Sequence, residues 1–306
     1  MNIKSQLQGF IATAFTPLNE DRTLNLSKVP EYYRFLKQSG VSGILILANS
    51  EDEFLTIEEK LSLATAWRQI AINDQDFVTL LFICENSVEY AAKLVRHAYE
   101  LKMSGIVIGF PENRKFGKVE HIVKVCQEIL SKDVDMPVYF NYVETGEKSL
   151  DLDVIDLIGA MEKNIPFFTG IRFKSRNLQD FFACKNYKNG EYDLIWDAEE
   201  IFLPALSLGI KTSTGTQFNY LAPVYERLIK AFKDGDHFEA IRLEGEGIEF
   251  ARICKKYGPG AGKAYLKLRG IDCGPLKLPF EDIKTDQFMN FFWDLDRLNF
   301  FSNMVR

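Results

Sequence analysis

The sequence predicts a (β/α)8 barrel followed by a C-terminal helical extension, and three observations carry that expectation. Apolar runs of strand length alternate with amphipathic segments of helix length, eight times over, at a spacing of roughly 25 to 30 residues. The apolar runs are nearly continuous, as at 43–48 (GILILA) and 105–110 (GIVIGF). Parallel strands covered on both faces read this way. No glycine-rich phosphate loop follows the first strand, which leaves an open doubly wound sheet as the runner-up. Eight such units within about 230 residues fit a closed TIM barrel.

Residues 9–17 (GFIATAFTP) read as a strand closed by a Thr-Pro turn. Helical periodicity follows over 26–40 and stops at Gly40. The second strand, 43–48, runs into a polar loop at 49–53, and 57–73 reads as its helix. The next pairs are 77–84 with 87–102, where Asn86 or Ser87 is the expected cap, and 105–110 with 119–132. After them come 136–142 with 152–163 and 167–174 with 178–184. The last two pairs are 192–196 with 199–208 and 211–216 with 221–233. From His237 onward the chain reads as further helices, broken by the proline-rich 274–279. The expected division is a barrel over 1–236 and an extension over 237–306, packed on it as one structural unit.

About 46% of the 306 residues are hydrophobic, enough for one large domain. The net charge is −6 with both signs spread along the chain, which disfavours nucleic acid or an anionic membrane as partner. No apolar run has the length of a membrane span and no signal-peptide pattern opens the chain. The five cysteines are far apart and form no CxxC pair, so reduced thiols in the cytoplasm are expected. The three histidines all fall in helical segments, which argues against a histidine metal site or a Ser-His-Asp triad. No cofactor is expected.

Candidate chemistry gathers at predicted strand ends. Alternation puts Gly170, Arg172 and Lys174 on one side of the sixth strand, at the mouth of a barrel if that side is the interior. The bland reading is two strand-end charges reaching solvent. Asp197 and Glu199, where the seventh strand meets its helix, read first as caps and second as pocket groups. Glu51, Asp52 and Glu53 form either a solvated acidic turn or a polar lining opposite Arg172. Thr212, Thr214 and Thr216 share one side of the eighth strand, where small hydroxyls leave room and hydrogen bonds for a ligand. The run 258–263 (GPGAGK) lacks the spacing of a phosphate loop and follows a helix, so it reads as an interhelical turn.

Several stretches together resemble the N-acetylneuraminate lyase and dihydrodipicolinate synthase family. They are Gly9-Phe10-Ile11 through Thr16-Pro17, Leu55-Thr56-Ile57-Glu58-Glu59, the strand ending Tyr139-Phe140-Asn141, Thr169-Gly170-Ile171-Arg172, and Gly215-Thr216-Gln217-Phe218-Asn219. Gly270-Ile271-Asp272-Cys273-Gly274-Pro275 is similar to the lyase branch. The resemblance implies a (β/α)8 barrel, usually tetrameric, that joins pyruvate to an aldehyde or cleaves the adduct through a lysine Schiff base.

The resemblance also implies departures at the functional positions. The Schiff-base lysine falls on Arg172 and the catalytic tyrosine on Phe140. Of the carboxylate-gripping Gly-Thr-Thr-Gly-Glu loop, read here as Leu47-Ala48-Asn49-Ser50-Glu51, only the glutamate remains. The aromatic pair after the fourth strand reads Glu112-Asn113, so a homo-oligomer, dimer or tetramer, without a neighbour-donated pocket aromatic is expected. An imine needs an amine that can lose its proton, which a guanidinium does not do. The expected function is therefore binding of a small carboxylate, a sugar acid or keto acid, with aldolase turnover lost. Arg172 would be the anchor and Asn49, Ser50, Glu51, Asn141 and Thr216 the polar lining. Two alternatives stand beside it: an active lyase using Lys174 and Tyr142, each two residues onward, and a non-catalytic regulatory or structural subunit.

Overall fold

The computed structural model describes residues 7–111, 114, 116–130, 134–144 and 152–300. Eight parallel strands close into a barrel in sequence order, β1 pairing with both β2 and β8. The strands are β1 Gly9–Thr13, β2 Gly43–Ile46, β3 Val78–Ile83, β4 Gly105–Ile108, β5 Val138–Val143, β6 Phe168–Lys174, β7 Asp193–Trp196 and β8 Thr212–Gly215. The helices between them are α1 Val29–Gln38, α2 Ile57–Ala71, α3 Val88–Glu100, α4 Val119–Ile129, α5 Val154–Asn164, α6 Leu178–Asn186 and α7 Phe202–Ser207. After β8 come α8 Phe218–Lys233, α9 His237–Tyr257, α10 Ala261–Leu268 and α11 Thr285–Asp296.

Local signals place most boundaries. Thr56 and Glu59 form a reciprocal capping box at the start of α2. Ser87 caps α3, and Asp153 and Asn177 cap α5 and α6 through their side chains. Two expected helices break near their start. Residues 26–28 and 199–201 form 3-10 turns, so that Pro30 and Pro204 fall in the first turns of α1 and α7. A proline there has no intrahelical N–H to lose.

The alternation of each strand divides the core in two. Leu7, Ile11, Leu45, Leu80, Val107, Tyr139 and Ile195 fill the barrel axis. The other side of each strand packs against the helices in a larger cluster that holds Phe140, Tyr142, Phe173 and Trp196. This parity decides which strand residues can reach a ligand and which only hold the barrel to its helices.

Candidate active site at the carboxyl face

Arg172 lies on the interior side of β6, 5% exposed. Three neighbouring strands supply its partners. Its Nη1 donates to Asn141 Oδ1 on β5 (2.8 Å), and its Nε donates to Thr214 Oγ1 on β8 (3.0 Å). Its Nη2 stands 2.8 Å from Asp197 Oδ2, just past the end of β7. That last contact is an ion pair out of hydrogen-bond alignment, since Asp197 Oδ2 has no well-aligned donor. Thr214 Oγ1 in turn donates to Asp197 Oδ1 (3.2 Å), and the guanidinium lies 5.8 Å from the Phe82 ring centroid. Burial pushes the Asp197 carboxyl up, opposed by the charges of Arg172 and Lys174.

Lys174 shares the interior side of β6 but sits at the mouth. Its side chain is 56% exposed and its Nζ is 4.0 Å from Asp197 Oδ2. Glu199 is the second carboxyl of the rim. Its Oε1 accepts from the Gln217 N–H (2.5 Å), and it occupies space that a side chain at Gly215 would fill. Burial first, then the Asp197 charge, pushes the Glu199 carboxyl well above the usual range. Among the described residues no group of three histidines, cysteines or acids could hold a metal ion.

Several expected site residues stand elsewhere. Phe140 points away from the barrel axis, its ring 6.0 Å from that of Phe110. Tyr142 does the same, stacked 5.3 Å from Phe173, and burial pushes its hydroxyl up to about 12. The register pairs Asn141 with Arg172 and Tyr142 with Phe173, so the β5 residue facing Arg172 is Asn141. Phe140, on which the resemblance puts the catalytic tyrosine, thus faces the helices, one strand position from the interior side. For the same reason Lys174 and Tyr142 lie on opposite sides of the sheet and do not form a pair.

Glu51 does not line the mouth opposite Arg172. It is 2% exposed, its Oε1 is 2.9 Å from Lys263 Nζ on α10, and its Oε2 accepts from the Lys277 backbone N–H (2.9 Å). Lys263 Nζ also donates to the carbonyls of Thr16 (2.7 Å) and Pro275 (2.9 Å). Asn49 Nδ2 donates to the Ala14 carbonyl (2.6 Å), while Ser50 is exposed. Thr216 is half-buried and offers its carbonyl to Asn219. The loop after β2 therefore serves mainly to bind the barrel rim to the C-terminal segment. Lys263 escaped the sequence reading because a lysine in a glycine-rich turn gives no sign that it is buried. Glu112 and Asn113 lie outside the described residues. A cavity of about 1110 Å³ opens at the other end of the barrel, at the amino ends of β6 to β8, away from Arg172.

The dihydrodipicolinate synthetase family model matches residues 6–295, nearly the whole chain. This chain belongs to that family. Within it, the chain is 27% identical over 281 residues to an N-acetylneuraminate lyase of Danio rerio, covering 90% of this chain and 91% of the relative. It is 27% identical over 286 residues to that of Homo sapiens, covering 91% and 88%. Its structure superposes on the N-acetylneuraminate lyase of Proteus mirabilis with a TM-score of 0.91 at 25% identity, covering 97% of this chain and 100% of the other. Family membership agrees with the closed barrel and with the lyase-like C-terminal stretch.

Proposed function

We propose that this family member binds a small carboxylate, a sugar acid or keto acid, at the carboxyl face of its barrel, without forming a lysine imine. The observation that carries this reading is the setting of Arg172. Where the resemblance implies a reactive amine, a guanidinium is held by Asn141, Thr214 and Asp197. A permanently protonated group cannot add to a ketone as a nucleophile. It can hold an anion. Three of its five N–H groups face protein partners, which leaves two for a ligand. Lys174 stands ready at the rim as a second cation. The Asn141 amide and Thr214, both in contact with Arg172, provide hydrogen bonds to ligand oxygens. The setting we take for this activity is the cytoplasm.

The position of Lys174 on the interior side favours one rival, a lyase that has moved its amine outward by two residues. Borohydride reduction in the presence of pyruvate, followed by peptide mass spectrometry, separates the two. We expect no adduct, together with a rise in Tm on adding N-acetylneuraminate or pyruvate. An adduct on Lys174, abolished in Lys174→Met, establishes the rival. No rise in Tm with either acid overturns the binding proposal.

A further inference from the structure

Beside Arg172 stands a buried acceptor that no described residue satisfies. Asp197 Oδ2 is shut off from solvent, yet no aligned donor among the described residues reaches it. Arg172 Nη2, 2.8 Å away, supplies charge without a hydrogen bond, and Lys174 Nζ is 4.0 Å away at the rim. The other oxygen, Oδ1, accepts from Thr214 (3.2 Å). Asp197 lies two residues beyond Ile195, which fills the barrel axis, so alternation puts it on the interior side. Thr13 Oγ1 is a second buried atom without a partner among the described residues. It lies two residues beyond Ile11, another axis residue, whose partner on β8 is Thr214. The two unsatisfied atoms thus share the interior side, at the carboxyl ends of the two strands that flank β8.

An ionised carboxylate only accepts hydrogen bonds, and leaving one of its buried oxygens without a donor is costly. The missing donor identifies the ligand. With a ligand carboxylate on the free N–H groups of Arg172, the substituent on the next carbon comes toward Asp197. A 2-keto acid brings a carbonyl oxygen there, a second acceptor facing the first. A 2-amino acid brings an ammonium to an oxygen that already faces two cations. A 2-hydroxy acid brings an O–H, which can donate. A sugar acid closed into its ring belongs to this last class, because its ring hydroxyl sits on the carbon that bears the carboxylate.

We propose that Asp197 is a specificity-determining residue of this site, and that the site takes a 2-hydroxy acid whose hydroxyl donates to Asp197 Oδ2. This inference rests on the carboxylate-binding reading above and narrows it to acids that carry a donor beside the carboxylate.

Isothermal titration at pH 8 with D- and L-lactate, pyruvate, and D- and L-alanine tests the choice, since the three acids share one carbon skeleton. One enantiomer of lactate is expected to bind the native chain about tenfold more tightly than pyruvate, the penalty of an unpaired buried acceptor, and more tightly than either alanine. Asp197→Asn offers an amide that can accept from a hydroxyl or donate to a carbonyl, so the preference for lactate over pyruvate is expected to fall to about twofold or less. A merely structural role for Asp197 would weaken both acids and leave their ratio unchanged. Pyruvate or alanine binding the native chain as tightly as lactate overturns this inference and leaves the carboxylate-binding reading standing. No binding of any of the acids overturns both. A preference retained in Asp197→Asn overturns the assignment to Asp197, and the native comparison decides the ligand class even where that variant does not fold.

Discussion

The Arg172 guanidinium and the Asp197 carboxylate face each other at 2.8 Å inside the barrel, with 6% and 7% of their side chains exposed. Each is the other's main compensation for leaving water. A buried ion pair adds little net stability over apolar residues of the same size, but losing one partner leaves a charge stranded. The pair therefore fixes the state of the site more than it stabilises the fold.

Asp197→Ala is expected to destabilise the protein by about 3–5 kcal/mol, because Arg172 remains charged in a low-dielectric interior. The double variant Arg172→Met with Asp197→Leu is expected to lose less than Asp197→Ala alone. Urea denaturation of the singles and the double gives the coupling energy. Simple additivity would contradict the account of the pair given above.

Imine chemistry is expected only after three changes. Arg172→Lys supplies the amine. Asn141→Tyr supplies a hydroxyl on the interior side of β5, which Phe140→Tyr cannot do because residue 140 faces the helices. Asp197→Ala is also needed, since a carboxylate beside the new lysine would favour its protonated form. Borohydride trapping with pyruvate should mark residue 172 in the triple variant more strongly than in Arg172→Lys alone. Equal labelling would show that neither the tyrosine nor the carboxylate matters.

Stability is expected to fall as pH rises from about 4 to about 7, through Asp52. Burial first, then the Glu51 charge, pushes the Asp52 carboxyl from its ordinary 3.8 up to about 7. Between those values the folded chain keeps a proton that the unfolded chain has released, so folding weakens with pH and levels off above about 7. Asp52 accepts from Thr16 Oγ1 (2.5 Å) and from the Asn49 N–H (2.9 Å); an asparagine can accept from the Asn49 N–H and donate its amide to Thr16 Oγ1. Asp52→Asn should flatten this part of the profile in urea titrations. A native slope retained in that variant would assign the effect to another group.

Lys263→Met is expected to cost about 3–5 kcal/mol and to loosen the 274–279 segment, because Glu51 keeps its charge without its buried partner. Thr16 and Pro275 also lose a donor to their carbonyls. Limited proteolysis should show faster cleavage near Pro275 in the variant. An unchanged cleavage rate would mean that the loop after β2 and the C-terminal segment do not depend on this lysine.

The sequence by itself determined the barrel, its eight units and that Gly170, Arg172 and Lys174 share one side of the sixth strand. Those features follow from local periodicity, strand length and capping residues, which short windows of sequence record. It also determined that position 172 carries a guanidinium, since that is a matter of residue type. Only the tertiary structure decided which neighbours complete the site. Asp197 reads as a helix cap until β7 is seen beside β6. Glu51 reads as pocket lining until Lys263, more than two hundred residues on, is found against it. The two sides of β5 were legible only as alternatives, because a one-residue change of register exchanges every inward side chain for an outward one. The hydrogen bonds across β5 to β8 made that choice, setting Asn141 beside Arg172 and turning Phe140 and Tyr142 to the helices.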